Sequence, residues 1–314
     1  MLLRTAKSSL FLFLLFQAIA INGFPQDSGL LRLVPSESQI VAGVRRPSTS
    51  GQLGSLLFVT RNNLVDYDDF CALTGGDASR VLHDVVFIAS VSGKGGLSEH
   101  GLLAGGHFDR DAVFKLAERD HASEEIYRGV MVLTVPAFAR ERGPFDEVRW
   151  LAILNDKIAI FGSVASVQRV LDRWIANSLP EPGLINRLGL LGGADDTWCL
   201  LPAISKDGIV ESILAKLDVR LGELAGKGAS IQYGIRFGRK VEVIVATGPT
   251  ADVNEKSGAA RTGVESMPVS NFLSNSDNIE RDVPKRVVVK VSQQRYEKWL
   301  GEFSIAGKKG ARSH

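Results

Sequence analysis

Between Ile231 and Ala246 the chain announces its own geometry. Ile231, Tyr233, Ile235 and Phe237 alternate with Gln232, Gly234 and Arg236, a Gly238-Arg239-Lys240 turn follows, and Val241 to Ala246 returns as a second apolar strand. A period of two sends alternate side chains to opposite faces, so this stretch predicts a half-buried β-hairpin. Such a hairpin needs a cover for its apolar face. Val164, Val167, Val170, Leu171, Trp174 and Ile175 recur with a helical period, and Ser163 stands ahead of them as an N-cap. That spacing predicts a helix over Val164–Ile175 lying on a sheet. Strands and helices of this kind together predict an α+β fold, with mixed or antiparallel sheets covered by helices and two similar tandem halves.

Further elements follow from the same patterns. Ile40 to Val44 and Val85 to Ala89 read as strands, the latter buried on both faces. Tyr67 to Leu73 reads as a short helix, His100 to His107 as a strand loosened by glycine, and Tyr127 to Val135 as a single strand. Asp109 is placed to cap a helix carrying Val113 and Leu116. Arg149–Leu154 and Lys157–Phe161 form a hairpin around Asn155-Asp156, and a helix follows over Lys206–Leu217. Arg286–Val291 is a strand, and Ser292 caps a last helix with Tyr296, Trp299 and Leu300 inward. The unit from Lys157 through Ser163 to Trp174 parallels the unit from Arg286 through Ser292 to Trp299. The expected organisation is a leader at 1–23, a first half at 24–178, a linker or domain edge at 179–193, and a second half at 194–303. The second half carries a flexible 249–282 insertion rich in Ser, Asn, Gly and Asp, and 304–314 is a loose basic tail.

The leader rests on Arg4 and Lys7 ahead of Leu10–Ile21, a run of about 12 residues broken by one polar side chain, Gln17. That is short of the ~20 residues a membrane span requires. With Ala18 and Ala20 it fits a secretory signal cleaved near Ile21 or Phe24, and so a periplasmic or secreted protein without a stable span after cleavage. Of the 37 basic residues, two lie in this leader, which leaves 35 against 35 acidic ones. A near-neutral mature chain has no electrostatic footprint for nucleic acid. An oxidising compartment would let Cys71 and Cys199 pair, yet both lie among apolar residues, where buried free thiols are the alternative. The sequence leaves both open.

Reactive constellations are tested in turn. His83, His100, His107, His121 and His314 form no ligand-spaced pair, so no metal site is expected, and His100 and His107 fall on opposite faces of their strand. Asp66, Asp68 and Asp69, and likewise Asp195 and Asp196, read as solvated loop acids. Ser98 near His100 lacks a nucleophile elbow. Ser92-Gly93-Lys94-Gly95-Gly96 departs from the phosphate-binding loop, because Gly95 stands where Ser or Thr belongs and a strand follows; it reads as a hairpin turn, and no cofactor is expected. Trp150, Trp174, Trp198 and Trp299 are spaced as core anchors.

The segment Leu102–Leu116, with Gly105-Gly106-His107-Phe108-Asp109 before its helix, and the segment Leu151–Trp174, with Phe161-Gly162 before its helix, resemble exported bacterial proteins of unknown function. The resemblance implies a signal peptide followed by paired α/β halves, and it supplies no catalytic residues. The functional expectation is a non-catalytic secreted or cell-envelope protein that binds a protein partner or small ligand. The alternatives are an extracytoplasmic hydrolase with a dispersed acidic site and a structural or assembly protein. No catalytic, cofactor-binding or metal residue is assigned.

Overall fold

The computed structural model describes residues 28–45, 61–75, 81–91, 97–119, 121–136, 148–192, 195–202, 209–226, 230–248 and 285–310. Its elements run in chain order as α1 (Ser28–Leu31), β1 (Ile40–Arg45), α2 (Arg61–Leu73), β2 (Leu82–Val91), β3 (Leu97–Gly106), α3 (Arg110–Arg119), β4 (Ser123–Tyr127), β5 (Val130–Val135), β6 (Arg149–Ile153), β7 (Ile158–Ser163), α4 (Val164–Ile175), α5 (Pro182–Gly189), β8 (Thr197–Pro202), α6 (Ile209–Leu217), α7 (Val219–Ala225), β9 (Ser230–Arg236), β10 (Val241–Gly248), β11 (Lys285–Val291) and α8 (Gln293–Gly310).

All strands join one 11-stranded sheet in the order β11-β10-β9-β8-β1-β2-β3-β7-β6-β5-β4. Every pairing is antiparallel. The fold is therefore α+β on an antiparallel sheet. β1 lies beside the central strand β2, its Ala42 opposite Phe87 of β2 on one side and Cys199 of β8 on the other. One sheet thus runs through residues that the sequence divides between two halves.

Helices cover both faces, which explains why the central strands read as continuous apolar runs. On the first face, Tyr67 and Phe70 of α2, Val113 and Ala117 of α3, Leu214 and Leu217 of α6, Leu221 and Leu224 of α7, and Tyr296 and Trp299 of α8 pack over Phe87, Leu102, Phe161 and Val243. On the second face, Leu30 and Leu31 of α1, Val167 and Leu171 of α4, and Leu184 and Leu188 of α5 pack over Val86, Leu103, Ile160 and Ile244. The two strand-to-helix units that look alike in sequence therefore send their helices to opposite faces, α4 to the second and α8 to the first.

Several elements match their sequence patterns closely. α4 has the bounds its period predicts. Asn155 Oδ1 accepts from the Lys157 and Ile158 amides at 2.8 and 2.9 Å, closing the β6–β7 turn. Asp109 caps α3 through the Ala112 amide at 3.1 Å, and Ser292 caps α8 through the Arg295 amide at 3.3 Å.

Others differ. Tyr127–Val135 is not one strand but the hairpin β4–β5, because Arg128 and Gly129 both take left-handed backbone (φ 48° and 83°). Two consecutive positive φ values make the tight turn whose twist suits a hairpin, and arginine in its first position conceals it. The span 179–193 contains α5, whose Leu184 and Leu188 are buried. The alternating strand β9 is covered on its polar side as well, with Gln232 fully buried. The Gly93–Gly96 turn lies outside the described residues, as do residues 1–27, 46–60, 249–284 and 311–314.

Candidate functional site: a buried acid, histidine and arginine cluster

β-register lines up three polar residues on the first face. His100 of β3 lies opposite Ala89 of β2. Gly101 lies opposite Gly162, which puts His100 beside Ser163 at the end of β7, and Ser163 lies opposite Arg149 at the start of β6. The row is tight at Gly162, which has φ 154°, and a Cβ built there would lie 2.5 Å from the His100 carbonyl oxygen. Only glycine fits at that crossing.

α2 closes over this row. Its residues 66, 69, 70 and 73 share one face at helical spacing. Phe70 and Leu73 are fully buried, and the Phe70 ring stands 6.2 Å from Phe161 and 6.0 Å from Phe108. One turn earlier the same stripe is acidic. Asp66 is 0% exposed and His100 3% exposed. His100 Nδ1 and Asp66 Oδ2 share a short hydrogen bond. Arg149 bridges the two acids. Its Nη1 donates to Asp69 Oδ2 at 2.5 Å, and its Nε lies 2.9 Å from Asp66 Oδ1. That second approach is an ion pair without hydrogen-bond alignment, since neither Nε nor Oδ1 makes a hydrogen bond among the described residues. Burial pushes the Asp69 carboxyl up from its ordinary range, and the neighbouring Arg149 guanidinium pulls it back. On the same helix, Cys71 hydrogen-bonds Tyr67. Burial raises both groups, the thiol to about 11.

The sequence pattern treats Asp66 and Asp69 as solvated loop acids, and the structure corrects this: both lie on a helix face turned to the sheet. The signal was present in their spacing from Phe70 and Leu73, but the longer helix, beginning at Arg61, is what gives that spacing meaning. Ser163 does begin α4, yet its hydroxyl makes no capping hydrogen bond; its Oγ accepts from the His100 amide at 3.4 Å. Arg149 carried no signal beyond membership of a strand.

The other candidates do not join this cluster. The His107 ring meets His83 edge-on at 5.1 Å. Asp195 lies buried on the second face, and Asp196 Oδ2 accepts from the Phe237 amide at 2.7 Å. Cys71 and Cys199 are free thiols, with Cys199 fully buried and pushed up by that burial. Trp150, Trp198 and Trp299 are core residues, while Trp174 is half-buried under the Arg32 guanidinium at 5.0 Å. No group of three metal-ligating side chains occurs among the described residues, and no helix among them is long and apolar enough to cross a membrane.

A shallow depression with a cavity volume of about 10 Å³ lies on the second face, lined by Ser38, Ser90, Glu99, Ser166 and Arg169 among others. Arg169 is engaged there, by Glu99 at 2.6 Å and Glu37 at 3.1 Å.

No family model matches the chain, and no curated protein matches it. Solved structures similar to it include crystal form I of TP0453, at 10% identity over 88% of this chain and 99% of that chain with a TM-score of 0.46. Crystal form III of TP0453 is similar at 10% identity over 69% of this chain and 78% of that chain, with a TM-score of 0.40.

Proposed function

We propose that this chain is a non-catalytic exported protein that binds a protein partner. The observation that carries the reading is what the polar cluster does. Asp66 and Asp69 of α2 pair with His100 and Arg149 of the sheet beneath it, with Asp66 and His100 almost wholly withdrawn from solvent. Buried charge of this kind fixes one docking geometry for a helix on a sheet. A small ligand is the weaker form of the proposal, because the depression lined by Ser38, Ser90, Glu99, Ser166 and Arg169 has a cavity volume of only about 10 Å³, far below the ~300–1,000 Å³ of ordinary ligand cavities. Export rests on the Arg4–Ile21 leader, and intact-mass measurement of the chain from the periplasmic or culture fraction tests it. Loss of roughly 20 residues is the expected result; a full-length mass there would count against it.

For binding, wild-type and His100→Gln chains are compared in two assays. The proposal expects stoichiometric co-purification of one protein from the envelope fraction with both chains, and no hydrolysis of ester, glycosidic or peptide substrates by either. Turnover that disappears in a folded His100→Gln chain would overturn it in favour of the second reading, an acid–base hydrolase. That reading is favoured by one feature, the Asp66–His100 pair with Ser163 on the next strand.

We also propose that the chain consists of two similar halves, 24–178 and 194–303. Their support is connectivity: β1–α2–β2–β3 and β8–α6–α7–β9–β10 each carry helix between two neighbouring antiparallel strands and over the same face. The opposite placement of α4 and α8 limits the likeness to those units.

A further inference from the structure

The sheet ends in two strands, β4 and β11, that each pair on one side only among the described residues. An unpaired edge carries a row of backbone N–H and C=O groups free to accept another strand. These edges have opposite charge. β4 reads Ser-Glu-Glu-Ile-Tyr, with Glu124 and Glu125 exposed and Ile126 76% exposed. β11 reads Lys-Arg-Val-Val-Val-Lys-Val, with Lys285, Arg286 and Lys290 exposed and Val288 40% exposed.

Strand direction and side-chain facing also agree. All pairings in the order of eleven are antiparallel, so the first and last strands run the same way. Glu124 and Ile126 share the first face with Leu133, and Glu125 and Tyr127 the second with Val132. Lys285 and Val287 share the first face with Val245, and Arg286 and Val288 the second with Ile244. Setting β4 of one copy beside β11 of the next, parallel and without turning the sheet over, brings Glu124 to Lys285, Glu125 to Arg286, Ile126 to Val287 and Tyr127 to Val288. Each pair falls on one face, charge against opposite charge and apolar against apolar.

From this we infer that the chain associates with further copies of itself, head to tail, through β4 and β11. The inference stands on the edges and not on the partner-binding proposal. Like edges do not compete, because β4 against β4 sets glutamates on glutamates, and β11 against β11 sets basic residues on basic residues. Arg128, next to β4, is held back by Asp172 at 3.1 Å. Arg286 lies exposed on β11, and its Nη2 donates to the Leu191 carbonyl at 3.1 Å. A heterologous contact of this type continues as an open chain of copies unless its rotation closes a ring.

Sedimentation velocity of the full chain over a wide concentration range tests this. Wild type should form a series of species beyond the dimer. The double variants Glu124→Lys/Glu125→Lys and Lys285→Glu/Arg286→Glu should each stay monomeric, and an equimolar mixture of the two should assemble again, because each supplies the charge the other lacks. A monomeric wild type, a variant that assembles alone as wild type does, or a mixture of folded variants that stays monomeric would each overturn it. Should a variant fail to fold by circular dichroism, salt decides with the wild type alone. The mass should fall toward the monomer by ~0.5 M salt, where charge pairs are screened, and a mass unmoved by salt would overturn the proposal.

Discussion

Asp66 and Asp195 are both buried acids laid against the same sheet, one on each face, and their circumstances diverge. Asp66 on α2 is met by His100 at one oxygen and by Arg149 at 2.9 Å from the other. Asp195, ahead of β8, rests on Gly234, where a built Cβ would come within 2.5 Å of its Oδ2. Its cation, Arg236, stands 3.6 Å away and is shared with Glu242 at 3.3 Å. Its Oδ1 makes no hydrogen bond among the described residues. Burial pushes its carboxyl up to about 6, against the pull of Arg236 and Arg286. Burial sets the penalty for both acids, and partner distance decides whether it is offset. One carboxylate clamps a helix; the other is a cost carried by the fold.

The largest expected effect breaks the comparison at its paired end. Asp66→Asn removes the carboxylate charge that faces both Arg149 and His100 and should lower stability by ~3–5 kcal/mol in urea unfolding. A loss below ~1 kcal/mol would mean the cluster does not hold α2.

Asp195→Asn should act in the other direction. A carboxyl whose folded value lies above its ordinary one binds a proton that the unfolded chain has released. Stability is therefore highest below the ordinary carboxylate range and falls as pH rises through about 4 to 6. Removing the charge should stabilise the protein by up to ~3 kcal/mol at pH 7.5 and by less than ~1 kcal/mol at pH 4. A destabilised variant at pH 7.5 would show that Arg236 offsets the burial after all.

Cys71 sharpens the contrast, because it rides α2 beside the cluster with a thiol raised to about 11. Under native conditions its alkylation at pH 8 should be slow. Loosening α2 by ~1.4 kcal/mol speeds it about tenfold, so Asp66→Asn should raise the rate at least that much and Asp195→Asn should leave it unchanged. The smallest effect belongs to Ser163→Ala, which removes the acceptor of the His100 amide and should cost ~1 kcal/mol by thermal unfolding. No change there would leave Ser163 without a part in the row.

Much of the scaffold was readable in local patterns, though the patterns differ in kind. The hairpins at Asn155 and at Gly238–Lys240 rest on turn chemistry between near neighbours. The bounds of α4 and the inward side of α8, with Tyr296 and Trp299 buried, rest on a helical period. The β4–β5 hairpin escaped both kinds because arginine rarely takes the left-handed backbone that Arg128 adopts. The buried cluster escaped for a different reason. Asp66, His100 and Arg149 lie on α2, β3 and β6, and no local spacing connects them.

By itself the sequence determined most of the strands and helices and the hairpins at Asn155 and Gly238–Lys240, because periodicity and turn chemistry act between near neighbours. Only the tertiary structure decided that all eleven strands join a single sheet, which face each helix covers, and which acids are paired. Those outcomes depend on β-register between strands far apart in the chain: β1 against β8, and His100 beside Ser163 and Arg149. Register moves every side chain to one face or the other together, and nothing within a single strand or helix fixes it.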